Sequence, residues 1–191
     1  MSTQMESWLP RHRITVDEYY RMAQVGLLAR DARVELIEGE VFDMAPIGSR
    51  HGGIVSRLGY LLSHAIGDRA ILRVQLPVRL SRSSEPQPDL ALVRWRSDFY
   101  SEQHPSASET LLVIEVSETT LRYDQRIKVP LYARDGVPEV WIIDLEHAQM
   151  HLFRSSEGEK YGDASMTSEP GITSLAADSS IAVDLTGLLK I

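Results

Sequence analysis

Two carboxylates in this sequence stand where a charge costs free energy. Asp89 lies in "PQPDLALV" and Glu115 in "LLVIEVSETT", and both runs are apolar enough to read as strands buried in a sheet. An unpaired charge there is expensive, so each carboxylate needs a partner or a purpose. Pro88 lacks a backbone donor and biases Gln87 toward extended geometry. Asp89 therefore opens its strand, projecting toward a cleft. Glu115 stands at the far end of "LLVIE", where the chain turns polar. On neighbouring strands the two would converge, and two anions at close range repel and tend to take up protons. A hard divalent cation, Mg²⁺ or Mn²⁺, removes that repulsion because it favours oxygen ligands. Asp89, Glu115 and a strand carbonyl, that of Val116, would hold it and leave positions for water and a phosphate oxygen.

The third component is an amine. Asp124, Lys128 and Tyr132 are spaced four apart in "YDQRIKVPLYARDG" and share one face if the segment is helical. The Lys128 ammonium would hold a water or stabilise charge developing on a phosphate, with Asp124 orienting it. Glu35, polar within "VELI", is a second-rank candidate for the same site. Each residue also has a plainer reading. Asp89 fits a turn after proline, Glu115 a salt bridge to Arg122, and Glu35 the open face of a hairpin. Lys128 fits an exposed helix lysine paired with Asp124, worth little. Asp89 and Glu115 taken together favour chemistry, since neither strand needs a carboxylate for structural reasons.

These side chains must be positioned by the elements around them. Thr15 and Glu18 form a capping-box signature, which predicts a helix from about Val16. "RVELIEGEVFDMAP" reads as two short strands around a turn at Glu38 and Gly39. Ile54, Leu58, Leu61, Leu62 and Ile66 recur at helical spacing. "LRVQLPVRL" alternates, with Val74, Leu76, Val78 and Leu80 on one face, and predicts a half-exposed strand, at an edge or a bulge because of Pro77. "DLALV" and "LLVIEV" read as central strands. Pro130 must kink the helix that follows or begin a second segment. "EVWIID" and "QMHLF" read as another strand pair, "SSEGEKYGDASMTSEPG" as loop, and "SIAVDLTGLL" closes the chain. The expected fold is α/β, a mixed central sheet flanked by helices, with an N-terminal helix and hairpin. Residues 1–13 are expected to form a tail and 14–191 one domain.

The chain has 191 residues, a net charge of -7 and no cysteine, which excludes thiol catalysis, thiolate metal sites and disulfides. No apolar run is long enough to span a bilayer, and the N-terminus lacks the apolar core of a secretory signal, so a cytoplasmic protein without a membrane partner is expected. The acidic balance argues against a protein that coats nucleic acid, which is usually basic. Action on nucleic acid would need a local positive patch or a bound metal.

The order P-D, then E-x-S after a buried strand, then D-x-x-x-K-x-x-x-Y on a helix resembles the Uma-two family of restriction-endonuclease-like proteins, a branch of the PD-(D/E)xK nuclease superfamily. "VELIEGEV", "RHGGIVSRL", "PQPDLALV", "LLVIEVSETTLRYDQRIKVPLYARDGVPEVWIID" and "DLTGLL" resemble that family's segments in order, from about Ile14 onward. The resemblance implies a restriction-endonuclease-like core and a Mg²⁺-dependent site that hydrolyses phosphodiester bonds, with DNA the favoured partner. It carries Asp89 over as the motif aspartate and Glu115 as the acidic residue two before the usual lysine. Ser117 stands at that lysine position and cannot supply an ammonium. In the family the lysine is thought to come from the following helix, which here selects Lys128. The resemblance also draws attention to Glu35 and to His51 at a helix start.

Three functions compete at this stage. The first is a metal-dependent endonuclease using Asp89, Glu115 and Lys128. The second is a nuclease-like fold without catalysis, serving as a binding or assembly module, which Ser117 and the acidic charge favour. A carboxylate-pair glycosidase ranks last, because 7% aromatic residues offer few sugar platforms. The half-exposed strand and the N-terminal helix offer faces for a homodimer.

Overall fold

A computed structural model describes residues 10–29 and 31–190; the first nine positions of the expected tail lie outside the described residues. Helix α1 spans Val16–Gln24 and carries the complete capping box, with Thr15 and Glu18 each bonded to the other's backbone. Strands β1 (Val34–Ile37) and β2 (Glu40–Asp43) pair antiparallel. Their turn has φ 50° at Glu38 and 76° at Gly39, the pattern of a tight hairpin turn with both central residues left-handed. Glycine is needed there twice over, since an added Cβ would lie 2.6 Å from Arg13 Cβ.

Helix α2 runs over Ser49–Ile66 and buries Ile54, Val55, Leu58, Leu62 and Ile66, close to the face expected from spacing. Six strands follow in one sheet: β3 (Ala70–Val74), β4 (Leu90–Arg94), β5 (Thr110–Ser117), β6 (Glu139–Asp144), β7 (Gln149–Glu157) and β8 (Lys160–Thr167). They lie in sequence order across the sheet, and only the β5–β6 pair is parallel. The sheet is therefore mixed, as expected. A small pair, β9 (Ile172–Ser174) with β10 (Ala182–Asp184), closes the chain.

The two faces of the sheet carry different loads. Leu112, Ile114 and Val116 of β5 pack with α2, Trp141, Ile143 and the C-terminal residues Leu185 and Leu188. Burying each such leucine is worth about 1.5–3 kcal/mol relative to exposure. Alternation sends Val113 to the opposite face, with Val140, Ile142, Val129 and Tyr132. Glu115 and Ser117 follow Val113 by steps of two, so they share that second face. The helical segment above it is in three parts: α3 (Leu121–Tyr123), a wide turn of π type over Asp124–Lys128, and α4 (Val129–Arg134). The Val129 N–H bonds back five residues to the Asp124 carbonyl. Pro130, which has no N–H to donate, sits in the first turn of α4. That accounts for the break expected at proline.

Two expectations fail. "LRVQLPVRL" was expected to bury one face of an alternating strand with Arg73 outside; β3 ends at Val74, and Arg73 is 6% exposed while Val74 is 45% exposed. Arg73 lies over the Tyr100 ring at 5.7 Å and meets His104 Nδ1 at 3.0 Å, partners that distant sequence supplies. Gln75 takes φ 49°, which stops the strand before Pro77. The edge placement of β3 does hold. The segment expected as loop after Phe153 is instead the long hairpin β7–β8. Its outer residues are largely solvated, so the hydrophobic pattern is faint. Tyr161 anchors it, packing on Phe153 at 6.0 Å between ring centroids and donating to the Val137 carbonyl at 2.8 Å.

Candidate active site

The pairing of β4 with β5 sets the geometry. Leu90 pairs with Ile114 in an antiparallel register, so Asp89, one residue before β4, falls opposite Glu115. Opposed residues of an antiparallel pair share a face. The Val116 N–H donates to Asp89 Oδ2 at 2.9 Å, and Gln75 Nε2 to Oδ1 at 3.3 Å. His51, in the first turn of α2, brings Nε2 to 3.0 Å from the same Oδ2. Burial alone would raise the Asp89 pKa, but His51, then the Val116 N–H and Gln75, outweigh it and hold it below the ordinary aspartate value. The hydrogen bond to Asp89 in turn raises the His51 pKa above that of a free imidazole, against partial burial.

Lys128 descends onto the same face from the π-type turn. Its ammonium lies 2.9 Å from Glu115 Oε1 and 3.1 Å from Glu35 Oε2. Tyr132, one turn along, donates its hydroxyl to Glu115 Oε1 at 2.7 Å. Glu35, Glu115, Asp124 and Lys128 are all 3–4% exposed. Burial pushes the Glu115 carboxyl up to about 8, with Lys128 opposing and Asp124, Asp89 and Glu35 adding to the rise. Burial works against the Lys128 charge, yet Glu115, Glu35 and Asp124 carry its pKa well above that of an ordinary lysine. Burial also raises Asp124, against the pull of Lys128 and two hydroxyl donors. Those donors are Ser117 and Thr120, each 2.7 Å from Asp124 Oδ2.

A pocket of about 270 Å³ opens onto this cluster and is lined by Glu35, Asp89, Glu115, Asp124, Lys128 and His51 among others. Every site residue named from sequence is thus brought together, with Tyr132 and Ser117 supporting from behind. Two sequence readings are corrected. Glu115 pairs with Lys128 rather than Arg122, whose side chain is exposed. Lys128 is buried between carboxylates instead of lying exposed beside Asp124. Arg57 bonds the Gly187 carbonyl and Arg134 pairs with Glu38, and neither lines the pocket.

Sequence reasoning missed four contributors. Tyr123 donates to Glu35 Oε1 at 3.1 Å and the Gln87 N–H to Glu35 Oε2 at 3.0 Å; Gln75 and Thr120 act as above. Tyr123 carried a readable signal, being five residues before Lys128 next to Asp124. The others are set by loop geometry and had none.

Residues 16–184 match the family described as "Putative restriction endonuclease", Uma2. The chain belongs to the Uma2 family. A crystal structure titled as a putative nuclease belonging to DUF820, from Anabaena variabilis ATCC 29413, has a TM-score of 0.70 at 16% identity. The alignment covers 93% of this chain and 98% of that one, and at such identity the likeness is one of fold. No curated protein matches the chain. The Uma2 assignment agrees with the resemblance read from "PQPDLALV" and "LLVIEVSETT". The departure at Ser117 has a local explanation in this Uma2 chain: its hydroxyl serves Asp124, and the amine arrives from the following turn.

Among the described residues no three histidine, aspartate or glutamate side chains are arranged to hold a metal ion. Asp89 and Glu115, opposed across β4 and β5, offer carboxylate oxygens. That set fits Mg²⁺, which is commonly bound by one or two carboxylates and completed by water and substrate phosphate. Glu115 Oε2 accepts no hydrogen bond from the described residues, while Oε1 is taken by Lys128 and Tyr132.

Proposed function

We propose that this protein is a divalent-metal-dependent endonuclease hydrolysing phosphodiester bonds of nucleic acid, with DNA the favoured substrate. The observation that carries the reading is the buried Lys128 ammonium beside Glu115, on the face that Asp89 shares. Asp89, Glu115 and the Val116 carbonyl would hold Mg²⁺ or Mn²⁺. Such an ion, when bound, polarises a phosphate oxygen and lowers the pKa of water.

The protein's own groups divide the remaining work. An ammonium has three donors, and Glu35 and Glu115 occupy two of those of Lys128. Among the described residues no other ion-pair partner is seen for Lys128, and its third donor would stabilise charge that grows on a phosphate oxygen in the transition state. Tyr132 fixes the Glu115 carboxylate, and Tyr123 with the Gln87 N–H fixes Glu35. His51 and Gln75 orient Asp89 from its two oxygens. The restriction-endonuclease description of the family supports the choice of DNA.

The experiment is cleavage of plasmid and single-stranded DNA with Mg²⁺ or Mn²⁺. Activity should vanish on chelation and in Asp89→Ala; equal activity in that variant would assign the cleavage to a contaminant and overturn the reading. A second reading, a nuclease-like module without catalysis, is favoured by one observation: the Lys128 ammonium is already paired with two carboxylates. It predicts no thermal stabilisation by Mn²⁺ that depends on Glu115.

A further inference from the structure

The pocket has two unlike walls. One is acidic, holding the carboxylates described above. The other is apolar and aromatic, built by Phe42, Met44, Pro46, Ile47 and Tyr123. The hairpin creates this juxtaposition directly, because Glu35 of β1 pairs with Phe42 of β2, so the aromatic ring stands on the face that presents Glu35 to Lys128. Phe42 and Tyr123 meet with ring centroids 5.8 Å apart, tilted by 46°. The Tyr123 hydroxyl is tied to Glu35 at 3.1 Å, which fixes its ring before any ligand arrives. Both rings are partly exposed.

Charge and depth point the same way. The pocket lining holds six carboxylates, Glu35, Asp43, Asp89, Glu115, Glu118 and Asp124, against Arg33, Lys128 and His51. Lysines and arginines draw the phosphates of duplex and single strand alike; with so few cations among the described lining residues, contacts to a base must carry more of the binding. Lys128 is 3% exposed and Glu115 4%. A phosphate on the convex flank of an intact duplex is harder to bring to groups so little exposed. A strand free of its partner can bend in, and its base then meets the aromatic wall.

We propose that this pocket takes one unpaired nucleotide, its base stacked in the corner of Phe42 and Tyr123, so that single-stranded or locally melted nucleic acid is the substrate class. The proposal rests on the nuclease reading for its chemistry, but its binding test does not. Stacking a base on an aromatic ring is sequence-tolerant because every base has a π-face.

The probe is a single-stranded oligonucleotide carrying one 2-aminopurine, added to the full chain in Ca²⁺, with fluorescence quenching as the readout. The same oligonucleotide in a duplex serves for comparison. Single strand should quench and bind at least about tenfold tighter than duplex, and Phe42→Ala should weaken single-strand binding by about tenfold. Phe42→Trp should keep both affinity and quenching, which separates stacking from loss of fold; melting temperatures of both variants are recorded alongside. Equal affinity for single strand and duplex, absence of binding, or an unchanged affinity in folded Phe42→Ala would each overturn the proposal. If quenching follows the expected pattern but no DNA is cut in Mg²⁺ or Mn²⁺, the stacking site stands and the nuclease reading falls. Cleavage with duplex preferred leaves that reading intact and sinks this one.

Discussion

The Lys128 ammonium and the Glu115 carboxylate meet at 2.9 Å with both side chains at least 95% buried. One comes from a π-type turn and the other from a central strand. Removing one partner of a buried pair costs about 3–5 kcal/mol, because the other charge is left uncompensated. Lys128→Met strands Glu35 as well as Glu115, so it should lose stability in that range by chemical denaturation. Glu115→Gln leaves Glu35 to pair with Lys128 and should cost less. A loss under about 1 kcal/mol for Lys128→Met would be the behaviour of a solvent-exposed pair.

His51 should report on Asp89 through pH. Its pKa is raised from the ordinary 6.5, first by the hydrogen bond to Asp89. A group whose folded pKa is raised contributes stability that is full below the unfolded value and lost as pH rises through the folded one. The imidazole titration, followed by NMR, should therefore have its midpoint above 6.5 in the wild type and fall back in Asp89→Asn. A midpoint unchanged by that substitution would separate the two residues.

Ser117 occupies the position where the resemblance led one to expect a lysine, and it has its own task. Ser117→Ala removes one of two hydroxyl donors to the buried Asp124. Thr120 still serves that oxygen, so a loss of about 0.5–1.5 kcal/mol is expected, measured by denaturant titration. Ser117→Lys should lose at least as much, since Lys128 already fills the amine position between Glu35 and Glu115.

Much of this site was legible because its residues break local rules. Asp89 and Glu115 are charges in strands that otherwise read as buried, and the four-residue spacing of Asp124, Lys128 and Tyr132 survived the widening of the helix. The capping box at Thr15 and the turn at Glu38 and Gly39 were legible for the same local reason. What failed depended on remote partners. Arg73 is buried by Tyr100 and His104, which no window around "LRVQL" contains. The outer strand β8 of the β7–β8 hairpin packs back through Tyr161 on Phe153, too little apolar pattern to mark a strand. Gln75, Gln87 and Thr120 reach the carboxylates through loop geometry, for which sequence has no periodic signature.

Diffraction from crystals grown with Mn²⁺, recorded for its anomalous signal, tests most directly whether Asp89 and Glu115 act as one cation site. The expected result is a single strong peak coordinated by an oxygen of each carboxylate, beside the Lys128 ammonium, and lost in Glu115→Gln. No peak in that pocket, or a peak that persists at full height in the variant, would contradict it.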